Sequence, residues 1–144
     1  MEVSELVARE CIRDAIARYA HLVDTGRLDE LLGLFAEDGT LEAGDQPPAQ
    51  GRAAIRALFL DTGTRLAAAA GRPFIRHHVS NVLIEVASTT SATALSYFFV
   101  ITERGPDHWG RYRDRFVARD GRWLFTHRRA KVDGYAPGSA FLPR

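Results

Sequence analysis

Four groups of side chains have the types and spacing to move protons. Asp24 closes the first helical segment, where the helix dipole disfavours an anion by about 0.5 kcal/mol. A carboxylate there is either a solvated helix end or a group that orients and charge-balances a histidine. His77-His78 stands near the start of a long strand, so one ring faces inward and the other outward. His77 shares a face with Val79, Asn81 and Leu83, and His78 with Ser80, Val82 and Ile84, so both faces are mixed and spacing does not choose between them. An inward imidazole titrates near neutrality and suits a general base; the plainer alternative is one packed and one exposed histidine. Tyr19 lies on the apolar stripe five residues before Asp24, about 140° around a regular helix, so the two meet only if the helix turns at its end. In His127-Arg128-Arg129, alternation sends the two arginines to opposite faces. An inward one could hold an anionic substrate group or leaving anion, and a solvated edge is the alternative. Tyr97, Phe99, Trp109 and Tyr112 read as core or as a platform for a ring substrate. His21 and His108 carry no pattern.

Other chemistries find no support in the sequence. The GxSxG, phosphate-loop and HExxH spacings are absent, and the five histidines show no metal-ligand spacing, so no metal is expected. A single cysteine, Cys11, excludes an intrachain disulfide and a CxxC cage. The 144 residues are 46% apolar and 26% charged with net charge +1, which fits one folded domain over 1–144 and no nucleic-acid face. No leader pattern and no apolar run of about 18 residues is present, so the expectation is a cytoplasmic protein without a membrane partner. Lys131 is the only lysine among 19 basic residues. Because the arginines are scattered, codon usage in a GC-rich bacterium explains the skew better than anion recognition does.

These groups need elements to position them. Residues 4–24 carry Ile12, Ile16, Tyr19, Ala20 and Val23 at helical spacing, with Ser4 as N-cap and Gly26 as stop. Leu28, Leu31, Leu32 and Phe35 predict a second short helix. Asp38-Gly39 then predicts a turn, 40–42 a short strand and 43–51 a loop. A third helix is expected over about 52–70. From 74 onward the period changes: 74–86, 92–103, 108–119 and 122–132 are rich in β-branched and aromatic residues. Breaks fall at 88–91, 105–107 and Asp120-Gly121. Helices first and strands after give an α+β fold: a cone-shaped half-barrel of three N-terminal helices on a strongly curved, mostly antiparallel sheet. The tail from 134 is expected to pack loosely or against a neighbouring subunit.

That order of elements resembles the nuclear transport factor 2-like superfamily, and most closely its SnoaL-like branch. The stretches that carry the resemblance are 12–24 (IRDAIARYAHLVD), 31–39 (LLGLFAEDG), 76–81 (RHHVSN), 110–116 (GRYRDRF) and 123–128 (WLFTHR). Within the branch the chain is similar to scytalone dehydratase, bile-acid dehydratase and hexachlorocyclohexane dehydrochlorinase. This implies a lyase that removes water or HCl from a cyclic hydrophobic substrate without a cofactor. The resemblance implies His77 as base, in an H-x-x-x-N context completed by Asn81, with Asp24 as its partner and Tyr19 as donor. Arg128 matches an arginine on the last strand, and Tyr97, Phe99 and Trp109 would contact the substrate. No residue stands out as the further histidine of scytalone dehydratase, and Tyr97 and Phe99 occupy the places where a ketosteroid isomerase would carry aspartates. Alternatives are an isomerase or cyclase of polyketide or steroid type, and a non-catalytic ligand-binding member. A homodimer or homotrimer is expected.

Overall fold

The computed structural model describes residues 1–70 and 74–142. Helix α1 (Val3–Asp24) buries Ala8, Ile12, Ala15, Ile16, Tyr19, Ala20 and Leu22 along one stripe, as the spacing predicts. Its N-cap falls two residues earlier than expected, at Glu2 rather than Ser4, and makes no side-chain cap. Gly26, at φ 67°, turns the chain away just past its end. Helix α2 (Leu28–Leu32) is shorter than expected, because Phe35 opens strand β1 (Phe35–Ala43) instead of closing the helix. The long pairing partner overrides the local pattern: the Phe125 N–H donates to the Leu34 carbonyl at 2.9 Å, and Phe35 pairs with Phe125. Strand β1 runs through the expected Asp38-Gly39 turn, and Ala49–Gln50 forms a short strand, β2, within the expected loop. Helix α3 (Arg52–Ala70) buries Ile55 fully and packs Leu58 and Phe59 against the core.

The rest is a meander of β3 (Arg76–Val86), β4 (Ser91–Thr102), β5 (Gly105–Arg119) and β6 (Arg122–Tyr135). The six strands form one sheet in the order β2-β1-β6-β5-β4-β3, antiparallel except for the parallel β1–β6 pair. Strand β5 begins at Gly105, φ 100°, three residues before the expected start, so the turn falls at 103–104. The inner face of the sheet carries Ala92, Ala94, Ser96, Phe98, Val100 and Thr102 from β4, all buried. Helix α1 crosses this face and touches both β3 and β6.

Alternation along the strands is interrupted by bulges, each of which reverses the phase of the residues beyond it. In β3 the register slips between Ser80 and Leu83, and Asn81 sits at φ 54°. In β5 two residues oppose one between Val100 and Ile101 of β4, and the extra residue is Asp107. In β6 the register slips at Thr126, so Arg128 faces inward with Phe125. Gly110 of β5 has no room for a side chain: a Cβ there would meet the Lys131 carbonyl oxygen at 2.0 Å.

Asn81 therefore holds a bulge in a left-handed conformation that glycine and asparagine tolerate best. Asn81→Gly is expected to keep the urea midpoint nearly unchanged, whereas Asn81→Val should lower stability by about 1–2 kcal/mol. Equal effects of the two substitutions in urea titrations would remove the bulge explanation.

Candidate active site

Asp24 and His77 meet where α1 ends and β3 begins. The ring Nδ1 of His77 lies 2.6 Å from Asp24 Oδ1, and the backbone N–H of the same residue donates to Oδ2 at 3.0 Å. One carboxylate thus takes two hydrogen bonds from one residue, which offsets its unfavourable place at a helix C-terminus. Both side chains are largely enclosed, at 7% and 12% exposure. An ionised Asp24 makes Nδ1 the protonated nitrogen and leaves the Nε2 lone pair outside the pair. Among the described residues Nε2 has no protein hydrogen-bond partner. His78 faces the other way and stacks on Phe99, ring centroids 4.8 Å apart.

A second carboxylate–imidazole pair stands on the same row of the sheet. His77 pairs with Val100, and Val100 pairs with His108, so the two histidines flank one buried valine from β3 and β5. Strand spacing puts their backbones about 10 Å apart. The Nδ1 of His108 is 2.7 Å from Asp107 Oδ2, and both residues are buried. Adjacent strand residues normally point to opposite faces; the bulge at Asp107 lets these two meet. Burial pushes the His108 imidazole below its ordinary range. Its hydrogen bond to Asp107 and that carboxylate's charge oppose the shift, and nearby His77 adds to it. In the sequence His108 carries no pattern that marks it as a site residue. The adjacent Asp-His dipeptide is the only signal, and it has meaning only if a bulge is known.

Tyr19 and Arg128 lie deeper. Arg128 has 0% exposure and makes a two-pronged ion pair with Asp114, Nε to Oδ1 at 2.8 Å and Nη2 to Oδ2 at 2.9 Å. Its guanidinium lies 3.7 Å from the centre of the Tyr112 ring, 4.2 Å from that of Tyr19 and 4.6 Å from that of Phe125. Burial opposes its charge most strongly, but the Asp114 charge and hydrogen bonds outweigh burial and hold it above its ordinary value. Burial likewise raises the Tyr19 phenol, against the pull of Arg128, so it keeps its proton. No hydrogen bond joins Tyr19 to Asp24 or His77 among the described residues. Arg128 Nη1 and Ser96 Oγ are buried without a partner.

The other expected substrate contacts lie away from the Asp24–His77 pair. Tyr97 and Trp109, 49% and 42% exposed, stand with Phe99 on the outer face of the sheet, because the inward phase of β4 belongs to the even-numbered residues. The Trp109 ring lies flat over Gly134 of β6, its register partner. Asn81 is exposed at its bulge and faces no chamber. The tail is not loose: Ser139 bonds to Asp107 and Phe141 packs on His108. Between α1 and the sheet, Tyr19, Phe98, Tyr112 and Phe125 fill the interior, so the two imidazoles stand at the edge of a packed core. Two surface depressions lie elsewhere, one lined by Arg111, Arg113, Arg129 and Lys131 on the outer face, the other beside the start of α3. Among the described residues no three His, Cys, Asp or Glu side chains converge as a metal site would, and no helix is long and apolar enough to cross a membrane.

The sequence matches the model of the SnoaL-like domain over residues 4–129, and the chain belongs to that family. Among solved structures, a putative scytalone dehydratase from Novosphingobium aromaticivorans is 27% identical, with 100% of this chain and 94% of that one covered and a TM-score of 0.83. An NTF2-like protein with a cystatin-like fold from the same organism is 29% identical, with 99% and 98% covered and a TM-score of 0.75. LinA shares the fold at 17% identity, with 99% and 98% covered and a TM-score of 0.81. None of the curated proteins compared matches the sequence.

The buried ion pair gives a direct test of the core beneath the site. Arg128→Met strands the Asp114 carboxylate and should destabilise the protein by about 3–5 kcal/mol in urea titrations. The Arg128→Met/Asp114→Leu double variant should recover most of that loss. A double variant no more stable than the single one would show that the aromatic stacking, not the charge pair, carries the stabilisation.

Proposed function

We propose that the protein is a cofactor-independent lyase of dehydratase type, acting on a small cyclic hydrophobic substrate. The observation that supports this reading most is the 2.6 Å bond from Asp24 to His77 Nδ1, which leaves Nε2 available as a base. Nε2 takes a proton from a carbon beside a carbonyl. The C–H electron pair forms the new double bond as the C–O bond breaks. The imidazolium, held by Asp24, returns its proton to the departing hydroxyl, so water leaves and His77 is restored. Tyr19, kept protonated, donates to the departing oxygen, and Arg128 holds the aromatic floor in place. The packed interior favours a compact single ring over a large polycycle. His108 adds a second imidazole whose Nε2 can accept a substrate hydroxyl.

A panel of cyclic β-hydroxy ketones, followed by mass spectrometry, tests this reading. Products lighter by one water support elimination, and products of unchanged mass support the isomerase or cyclase alternative. His77→Ala is expected to lower kcat by about 10²–10⁴-fold, and Asp24→Asn to lower it with KM little changed. Turnover unaffected by both substitutions would exclude the pair as base. A second reading, a ligand-binding member without chemistry, is favoured by the filled interior; tight binding of the panel without any product would support it.

We also infer that copies of the chain associate through the outer sheet face, where Leu83, Tyr97, Phe99 and Trp109 expose apolar surface together. Leu83→Glu and Tyr97→Glu should reduce the mass measured by sedimentation to that of one chain. A mass that stays the same in both variants places the contact elsewhere.

A further inference from the structure

The segment after β6 folds back over the second imidazole. The Ala136 N–H donates to the Asp107 carbonyl at 2.7 Å, and the chain then turns so that Ser139 Oγ donates to Asp107 Oδ2 at 2.6 Å. Ser139 Oγ also accepts the Phe141 N–H at 3.1 Å, which sets the Phe141 ring against His108, centroids 4.5 Å apart. Asp107 Oδ2 is thereby shared by the serine hydroxyl and by His108 Nδ1. Ser139, Asp107 and His108 are all buried. A carboxylate can only accept, so Asp107 Oδ2 takes both the Ser139 hydroxyl proton and the His108 Nδ1–H, and Ser139 helps to hold the carboxylate that sets this tautomer.

We propose that Ser139 is a positioning residue: through Asp107 it fixes the tautomer and ring orientation of His108, completing a second carboxylate–imidazole pair beside the one formed by Asp24 and His77. The two pairs share a plan. In each, a carboxylate from outside the regular alternation pins Nδ1, and Nε2 has no protein partner among the described residues. They differ in their anchoring. Asp24 is set by a helix end and a strand backbone, whereas Asp107 depends on a bulge and on one serine from a segment outside the sheet. That segment therefore governs the second imidazole and leaves the first alone. The groups facing His108 are Asp107 on its own strand, His77 on β3, Tyr135 at the end of β6, and the uncharged Phe98 of β4 and Ser139 and Phe141 of the tail.

Long-range ¹H–¹⁵N spectra of histidine-labelled protein test this without a substrate, with His108→Gln assigning the signals. Wild-type His108 should appear as the Nδ1–H tautomer and titrate below the ordinary histidine range. Ser139→Ala should mix the tautomers and move the titration up, because a loosened tail admits water and burial is what depresses it. Ser139→Thr, which keeps the hydroxyl, should restore the wild-type pattern, and His77 should keep its tautomer in either variant. An unchanged His108 spectrum in Ser139→Ala, or the same change in Ser139→Thr, overturns the proposal. The effect on turnover rests on the dehydratase reading: there Ser139→Ala should lower kcat more than it alters KM. A tautomer change with no turnover in any variant would uphold the role of Ser139 while defeating the elimination reading.

Discussion

A strand can turn only every second side chain toward a given face, and the inner face of this sheet depends on where that rule is broken. One extra residue at Asp107 lets a carboxylate and its neighbouring imidazole share a side. One slip at Thr126 brings Arg128 under the helix, where unbroken alternation from Phe125 would have put His127. The Asn81 bulge lies just beyond His77, so that His77 and Val79 before it and Ile84 after it all point inward. The placement of these charged and titratable side chains, and their packing, follow from a few single-residue insertions along otherwise regular strands.

Beneath the paired imidazoles lies a charged core. Arg128 and Asp114 sit opposite each other on neighbouring strands at zero side-chain exposure, sandwiched by Tyr19, Tyr112 and Phe125. The rings offer their π-faces to the cation, and the carboxylate supplies the counter-charge. Such a pair tolerates little displacement, because either partner alone would be stranded. It therefore makes a stiff base for Tyr19, whose position on α1 leads directly to Asp24.

Much of this was legible in the sequence. The helical spacing of Ile12, Ile16 and Tyr19 marked α1, and the switch to β-branched and aromatic runs marked the meander. Asp24 at a helix end was conspicuous because electrostatics argues against it there. Pattern did not choose between His77 and His78, since both faces of β3 are mixed; the resemblance pointed to His77, and the contact with Asp24 is its geometric counterpart. The misses share a cause. Tyr97, Phe99 and Trp109 looked like interior rings because aromatic residues suit either face of a sheet, and Phe35 looked helical because its burial satisfies either period. His108 could not be read as a site residue while its neighbour was assumed to point away. Asn81 was read for its chemistry, whereas its place is explained by its backbone.

The parallel pairing of β1 with β6 joins Phe35 to Phe125, and the Asp24–His77 contact spans 53 residues. During synthesis, then, the apolar stripe of α1 emerges long before the strands that cover it. Residues 76–135 can form their ladder from neighbours close in sequence, and α1 can first dock on β3, but β1 must wait for the final strand. A nascent chain of this kind carries a greasy, unsheltered helix through much of its translation, and the buried Arg128–Asp114 pair comes into being only as the last strand docks.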